Sequence, residues 1–126
     1  MDRAFEVSEW IRYADNDTSV VNILATHHPL LLEIICYHCQ QSAEKMLKAF
    51  WIHANKKPPK THDLELLRAE CEIIANSFAE LFHECERLNR YSSQPRYPLG
   101  LEIVKLIIFI IGHIKTPFKI AIIQHS

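Results

Sequence analysis

Apolar residues along this chain recur at intervals of three and four, and nowhere do they alternate one by one over the length of a strand. The spacing predicts five helices. The first covers about residues 8–25, with Ser8 as its N-cap and Trp10, Ala14, Val21 and Leu24 at helical intervals. His27-His28-Pro29 ends it, because proline disfavours the helical conformation in the residue before it. The second covers about residues 31–54, and "NKKPPK" after it is a loop stiffened by two prolines. A short third helix, near residues 63–70, takes Thr61 or Asp63 as its cap. The fourth, about residues 75–89, sets Phe78, Leu81, Phe82, Cys85 and Leu88 on one face, and "RYSSQPRYP" follows as a loop. The fifth starts near Leu99, and Thr116-Pro117 is expected to kink or end it. The class expected is all-α: an up-and-down antiparallel bundle of four to five helices forming a single domain over residues 1–126.

The second helix departs from a plain amphipathic pattern. Ile35, Cys39, Ala43, Met46, Phe50 and Ala54 form a core stripe, while His38, Gln41, Lys45 and Lys48 follow the same rhythm on another side. Glu33, Tyr37, Gln40, Glu44 and Trp51 make a third, mixed surface. A helix with aromatic groups on several sides needs cover on several sides, and a homodimer is expected to supply it.

Composition narrows the classes. Two glycines in 126 residues leave no Gly-rich phosphate loop, and a formal net charge of -1 gives no global basic field for duplex nucleic acid. The apolar run Leu106 to Ile111 is far shorter than the roughly 18 residues a membrane span needs, so a buried helix is expected there. "MDRAFEVSEW" has no apolar signal core, and the chain is expected to be cytoplasmic. Cys36-Tyr-His-Cys39 is formally a CxxC but lies within a helical pattern. Cys36, Cys39, Cys71 and Cys85 are therefore read as packed thiols, and no metal or cofactor is expected.

Three groups of residues carry candidate chemistry. His38, Gln41 and Lys45 lie on successive turns and can converge on an anion or nucleotide, although a solvated helix face also accounts for them. His62 and Asp63, after Thr61, stand at a helix start where backbone donors are free. Capping explains Thr61 and Asp63 but not His62. Arg90, Arg96 and Tyr97, in a loop containing Pro95 and Pro98, offer two guanidinium groups for phosphate beside tyrosines that stack a base, or else form a rigid connector whose arginines pair with acidic neighbours. Glu44 and Lys48 read simply as an i, i+4 pair. HExxH, GxSxG and Walker A patterns are absent.

The order Trp10-x3-Ala14-x2-Asp17, "HCQQSAEKMLKAF" from His38 to Phe50, "PPKTHDL" from Pro58 to Leu64, and "RYP" from Arg96 to Pro98 resembles the HEPN domain family. The likeness covers roughly residues 8–110. It implies a helical bundle that usually dimerises and binds nucleotides. In prokaryotes it also implies pairing with a minimal nucleotidyltransferase, many such pairs being toxin-antitoxin modules. Several branches of that family are metal-independent ribonucleases with an Arg-x4-6-His motif. Here Arg3, Arg12, Arg68, Arg87, Arg90 and Arg96 all lack a histidine at that spacing, and no catalytic residue is assigned. The function expected is binding of a nucleotide or RNA through His38, Gln41, Lys45, His62, Asp63, Arg96 and Tyr97, in partnership with a nucleotidyltransferase. The alternatives are a divergent ribonuclease toxin and a non-catalytic dimeric interaction module.

Overall fold

In the computed structural model, the backbone is described over residues 2–91 and 100–125, and side chains over residues 2–91 and 102–116. Five α-helices follow one another: α1 (Arg3–His27), α2 (Leu32–His53), α3 (Leu64–Ile74), α4 (Phe82–Tyr91) and α5 (Gly100–His125). A 3-10 segment, Asn76–Leu81, joins α3 to α4. No strand occurs among the described residues, and the all-α bundle expected from the spacing is the fold.

The first helix begins earlier than Ser8, because Asp2 is the cap and its carboxylate accepts from the Ala4 amide at 3.2 Å. A carboxylate at the positive end of the helix, with Glu6 in the first turn, carries the helix back to Arg3. At the other end His28 leaves helical geometry just before Pro29.

The centre of the bundle is α2, which packs against α1, α3, α4 and α5. Ile35, Cys39, Ala43, Met46 and Phe50 are buried as expected, Ala54 only partly. The mixed surface is the surprise. Gln40, Glu44 and Trp51 are also buried, and the Trp51 indole donates to the Leu67 carbonyl at 3.1 Å. The chain's own helices thus cover Gln40, Glu44 and Trp51, while Glu33 and Tyr37 of the same surface stay exposed.

Asp63 caps α3 by accepting from the amides of Glu65 and Leu66, while the Thr61 hydroxyl accepts from the Asp63 amide. The helix continues past Glu70 to Ile74, because Leu67 and Cys71 repeat toward the core and Arg68 ties Glu65 to Glu72 across two turns. Those hydrogen bonds, first of all the one to Glu65, raise the Arg68 pKa further.

The single helix expected over residues 75–89 is two pieces. Side chains three apart eclipse in a 3-10 segment, so Phe78 and Leu81 both enter the core before α4 adds Cys85 and Leu88. Phe78 packs on Phe50 with ring centroids 4.6 Å apart. Phe82 is not part of that face: it is exposed and lies under the Arg68 guanidinium.

Nor is α5 buried all round. Ile103, Leu106, Ile107, Ile110, Ile111 and Ile114 face the core, while Ile108 and Phe109 are about half exposed, at 54% and 50%. Its backbone stays helical through Pro117 to His125, so of the expected kink or end the end does not occur. Proline already has a helical φ, so its missing donor and the crowding of its ring against the carbonyl four residues back strain a long helix without obliging it to end. Among the described residues no helix is long and apolar enough to cross a membrane.

Candidate functional site

Glu44 and Lys45 are consecutive and so project about 100° apart around α2. That one step sends the polar residues to two flanks, one against α1 and one against the start of α3.

On the α1 flank Asp17, buried, is the hub. Its Oδ1 lies 2.9 Å from His38 Nδ1 and its Oδ2 accepts from Lys45 Nζ at 2.6 Å. One turn along, Ser42 donates to the Ala14 carbonyl at 3.0 Å and lies 2.7 Å from the Thr18 hydroxyl. His38 and Lys45 are thus brought together as the spacing suggested, but around a carboxylate of the chain itself. Gln41 has no part in this cluster.

On the α3 flank Glu44 is the hub. Its side chain is 6% exposed, yet Oε2 accepts from Lys48 Nζ at 3.2 Å and Oε1 lies 2.7 Å from His62 Nδ1. His62 is 83% exposed. An ionised carboxylate only accepts, so the His62 proton belongs on Nδ1, and in the neutral ring Nε2 keeps a lone pair on an exposed edge. Beside it Gln40 Nε2 donates to the His62 carbonyl at 3.1 Å and to Asn89 Oδ1 at 3.4 Å. Asn89 Oδ1 also accepts from the Leu64 amide, and its Nδ2 donates to Asp63 Oδ1. Both partners of the Gln40 amide nitrogen are acceptors, which fixes the orientation of the amide. The buried Gln40 Oε1 then has no partner among the described residues.

Asp63 is taken up by capping, with three donors on one oxygen. Among the described candidates, His38 and His62 both have rings held through Nδ1 by a carboxylate, and His62 is the one set out in solvent, its side chain 83% exposed against 25% for His38. Arg96 and Tyr97 lie outside the described residues.

The sequence reading passed over Asp17, Gln40, Glu44 and Asn89. Glu44 with Lys48 matched a surface i, i+4 pair, and only tertiary packing turns it into a buried carboxylate that reaches a loop histidine.

The four cysteines are free and buried. Burial pushes the Cys36 thiol up to about 11 and those of Cys71 and Cys85 up to about 12, and raises Cys39 as well. These are poor nucleophiles at neutral pH. Among the described residues no group of His, Cys, Asp and Glu is arranged to hold a metal ion.

Compared with known proteins, residues 7–106 match the family model described as HEPN domain. No curated protein and no solved structure matches the chain.

Proposed function

The chain belongs to the HEPN domain family, and from that membership together with the geometry at His62 we propose that it binds a nucleotide or RNA and pairs with a minimal nucleotidyltransferase in a toxin-antitoxin-like module. The observation that carries the reading is the exposed His62 ring, fixed through Nδ1 by buried Glu44. A neutral Nε2 accepts from a ribose hydroxyl or base amine; a protonated ring pairs with phosphate. Rigid placement from behind removes part of the entropy cost of ordering the ring on binding.

The remaining candidates take supporting parts in this reading. Arg96 neutralises phosphate and Tyr97 stacks a base. Lys45 and His38, held by Asp17 on the other flank of α2, and Gln41 extend the binding face in this reading. Asp63 fixes the start of α3 beneath the ligand. The test is a calorimetric titration of ATP, other nucleotides and a short single-stranded RNA into the full chain and into His62→Ala. At least one ligand should bind the parent at least about fivefold more tightly; no heat with any of them would favour a purely structural interaction module.

The same ring favours a second reading, a divergent metal-independent ribonuclease. A carboxylate-held imidazole with a free Nε2 suits proton transfer at a 2′-hydroxyl. The family's Arg-x4-6-His spacing is absent, so the cation would come from elsewhere in the sequence, with Arg96 the candidate. RNA cleavage that His62→Ala and Arg96→Ala both abolish supports this reading, and equal cleavage by all three proteins points to a contaminant.

We also propose a homodimer. The support comes from exposed apolar side chains, two of them on α2 itself. Ile108 and Phe109 stand on α5, while Ile23, Leu30, Leu31, Ile34 and Tyr37 lie within two turns of the α1–α2 connection. A dimer mass in light scattering at tens of micromolar supports it, and a monomer mass counts against it.

A further inference from the structure

A cleft of about 420 Å³ lies at the end of the bundle where α1 begins and α2 ends. It contains none of the candidate residues above. Three cationic side chains line it, Arg3, Lys56 and Lys57, with a single carboxylate, Glu6. We propose that this cleft is an oligophosphate site, taking either a free polyphosphate chain or consecutive phosphodiesters of a single strand of RNA.

The local backbone explains how the cations come together. After His53 the chain leaves α2 through Asn55, which has φ 63, a left-handed conformation that asparagine tolerates better than other residues with a side chain. The Asn55 amide donates to the Ile52 carbonyl at 2.9 Å and the Lys56 amide to the Trp51 carbonyl at 3.0 Å. These bonds engage the Ile52 and Trp51 carbonyls near the negative end of the helix, which weakens but does not abolish its opposition to an anion. They also turn Lys56 and Lys57 sideways toward the first residue of α1. Pro58 then stiffens the wall.

Charge and shape select the ligand. Arg3 and Lys57 have no ion-pair partner among the described residues, and Lys56 reaches Glu70 only at 3.8 Å with both groups well exposed. Cations left unpaired around one concavity attract several negative charges at once. The volume falls in the range of small-ligand sites. Among the described residues no aromatic ring lines the cleft, so its cations favour phosphate over base. Asp2 already occupies the positive end of α1, so the attraction rests on the side chains. Glu6 opposes phosphate and limits affinity.

The cleft is also separate from His62. Ile52 on its wall stands eight residues beyond Glu44, about 12 Å along α2. Its use as a phosphate site does not depend on the reading given to His62.

The test titrates three probes separately into the full chain at low salt: inorganic tripolyphosphate, ATP, and a single-stranded RNA hexamer without a terminal triphosphate. Each is compared with Lys57→Gln, with Lys56→Gln/Lys57→Gln, and with Lys105→Gln on the exposed side of α5. The double variant should weaken at least one probe about tenfold, Lys57→Gln alone by severalfold, and Lys105→Gln by nothing measurable. Glu6→Gln should tighten the same probe. Weakening for tripolyphosphate and ATP assigns the cleft to free polyphosphate; weakening for the hexamer alone assigns it to an RNA strand. His62→Ala should leave tripolyphosphate affinity unchanged, which separates the two sites. Binding of none of the probes, equal affinity in the double variant, or an equal loss in Lys105→Gln overturns the proposal. The lysines are exposed on a loop, and unchanged far-ultraviolet circular dichroism identifies variants that remain folded.

Discussion

Glu44, buried on α2, holds the exposed imidazole of His62 through a 2.7 Å contact between Oε1 and Nδ1. The same carboxylate neutralises Lys48, itself only 11% exposed, so one group both balances a buried charge and positions a surface ring. Glu44→Ala leaves the ammonium without a counter-charge and is expected to cost on the order of 3 kcal/mol in urea unfolding. Adding Lys48→Met removes the orphaned charge and should recover part of the loss. A double variant no more stable than Glu44→Ala alone would show that the buried pair is not the source. His62→Ala should cost under about 1 kcal/mol, since its ring is outside the core.

Asp17 has the corresponding place on the other flank. Asp17→Ala strips Lys45 and His38 of their shared partner and should lower stability by roughly 2 kcal/mol, read as a shift in denaturation midpoint at unchanged slope. Asp17→Ala with Lys45→Met should be less damaging than the sum of the two changes. Additive losses would show that the two groups are not coupled.

Asn89 links α4 to the start of α3 through its contacts with Leu64, Asp63 and Gln40. Asn89→Ala should therefore speed amide exchange at Leu64 and its neighbours more than in the centre of α2. The local measure is hydrogen exchange followed residue by residue. Uniform acceleration over the whole chain would show a global loss instead.

The buried thiols make an alkaline prediction. The folded pKa values of Cys36, Cys71 and Cys85, about 11 to 12, lie above the ordinary value of 9.0, and Cys39 is raised as well, so the folded state holds its protons more tightly than the unfolded state. Their contribution is intact below pH 9 and is lost as pH rises from about 9 through 12. Cys71→Ala/Cys85→Ala should flatten that decline even if it lowers stability at neutral pH. At pH 8 a thiol reagent should label the native protein slowly and the urea-unfolded protein fast.

The periodic residues made the bundle legible, and for a physical reason. Ile35, Cys39, Ala43, Met46 and Phe50 can all be buried only on a helix, whatever surrounds it. Boundaries were less legible where a local signal competed with a stronger one, as with Ser8 against Asp2 as the cap of α1. The 3-10 segment over Asn76–Leu81 was hidden because Phe78 and Leu81 fit both windings by spacing. At the candidate site, the "HCQQSAEK" and "KTHDL" stretches drew attention to His38, Lys45, His62 and Asp63, all of which the structure describes. What one dimension could not show was the partner of each side chain. Lys45 is answered by Asp17, 28 positions away in sequence, and His62 by Glu44, 18 away. Those pairings depend on how α1, α2 and α3 pack, and the same pairings separate a held, exposed imidazole from charges already satisfied.

The central claim is that a nucleotide or RNA engages the His62 face. The most direct measurement is a residue-resolved amide spectrum of the full chain recorded during titration with ATP and with a short single-stranded RNA. Saturable shifts are expected, centred on His62, Asp63 and Leu64, extending to the Gln40–Lys45 turns of α2 and sharply reduced in His62→Ala. Saturable shifts that leave residues 61–66 untouched, or no shift with either ligand at millimolar concentration, would contradict it.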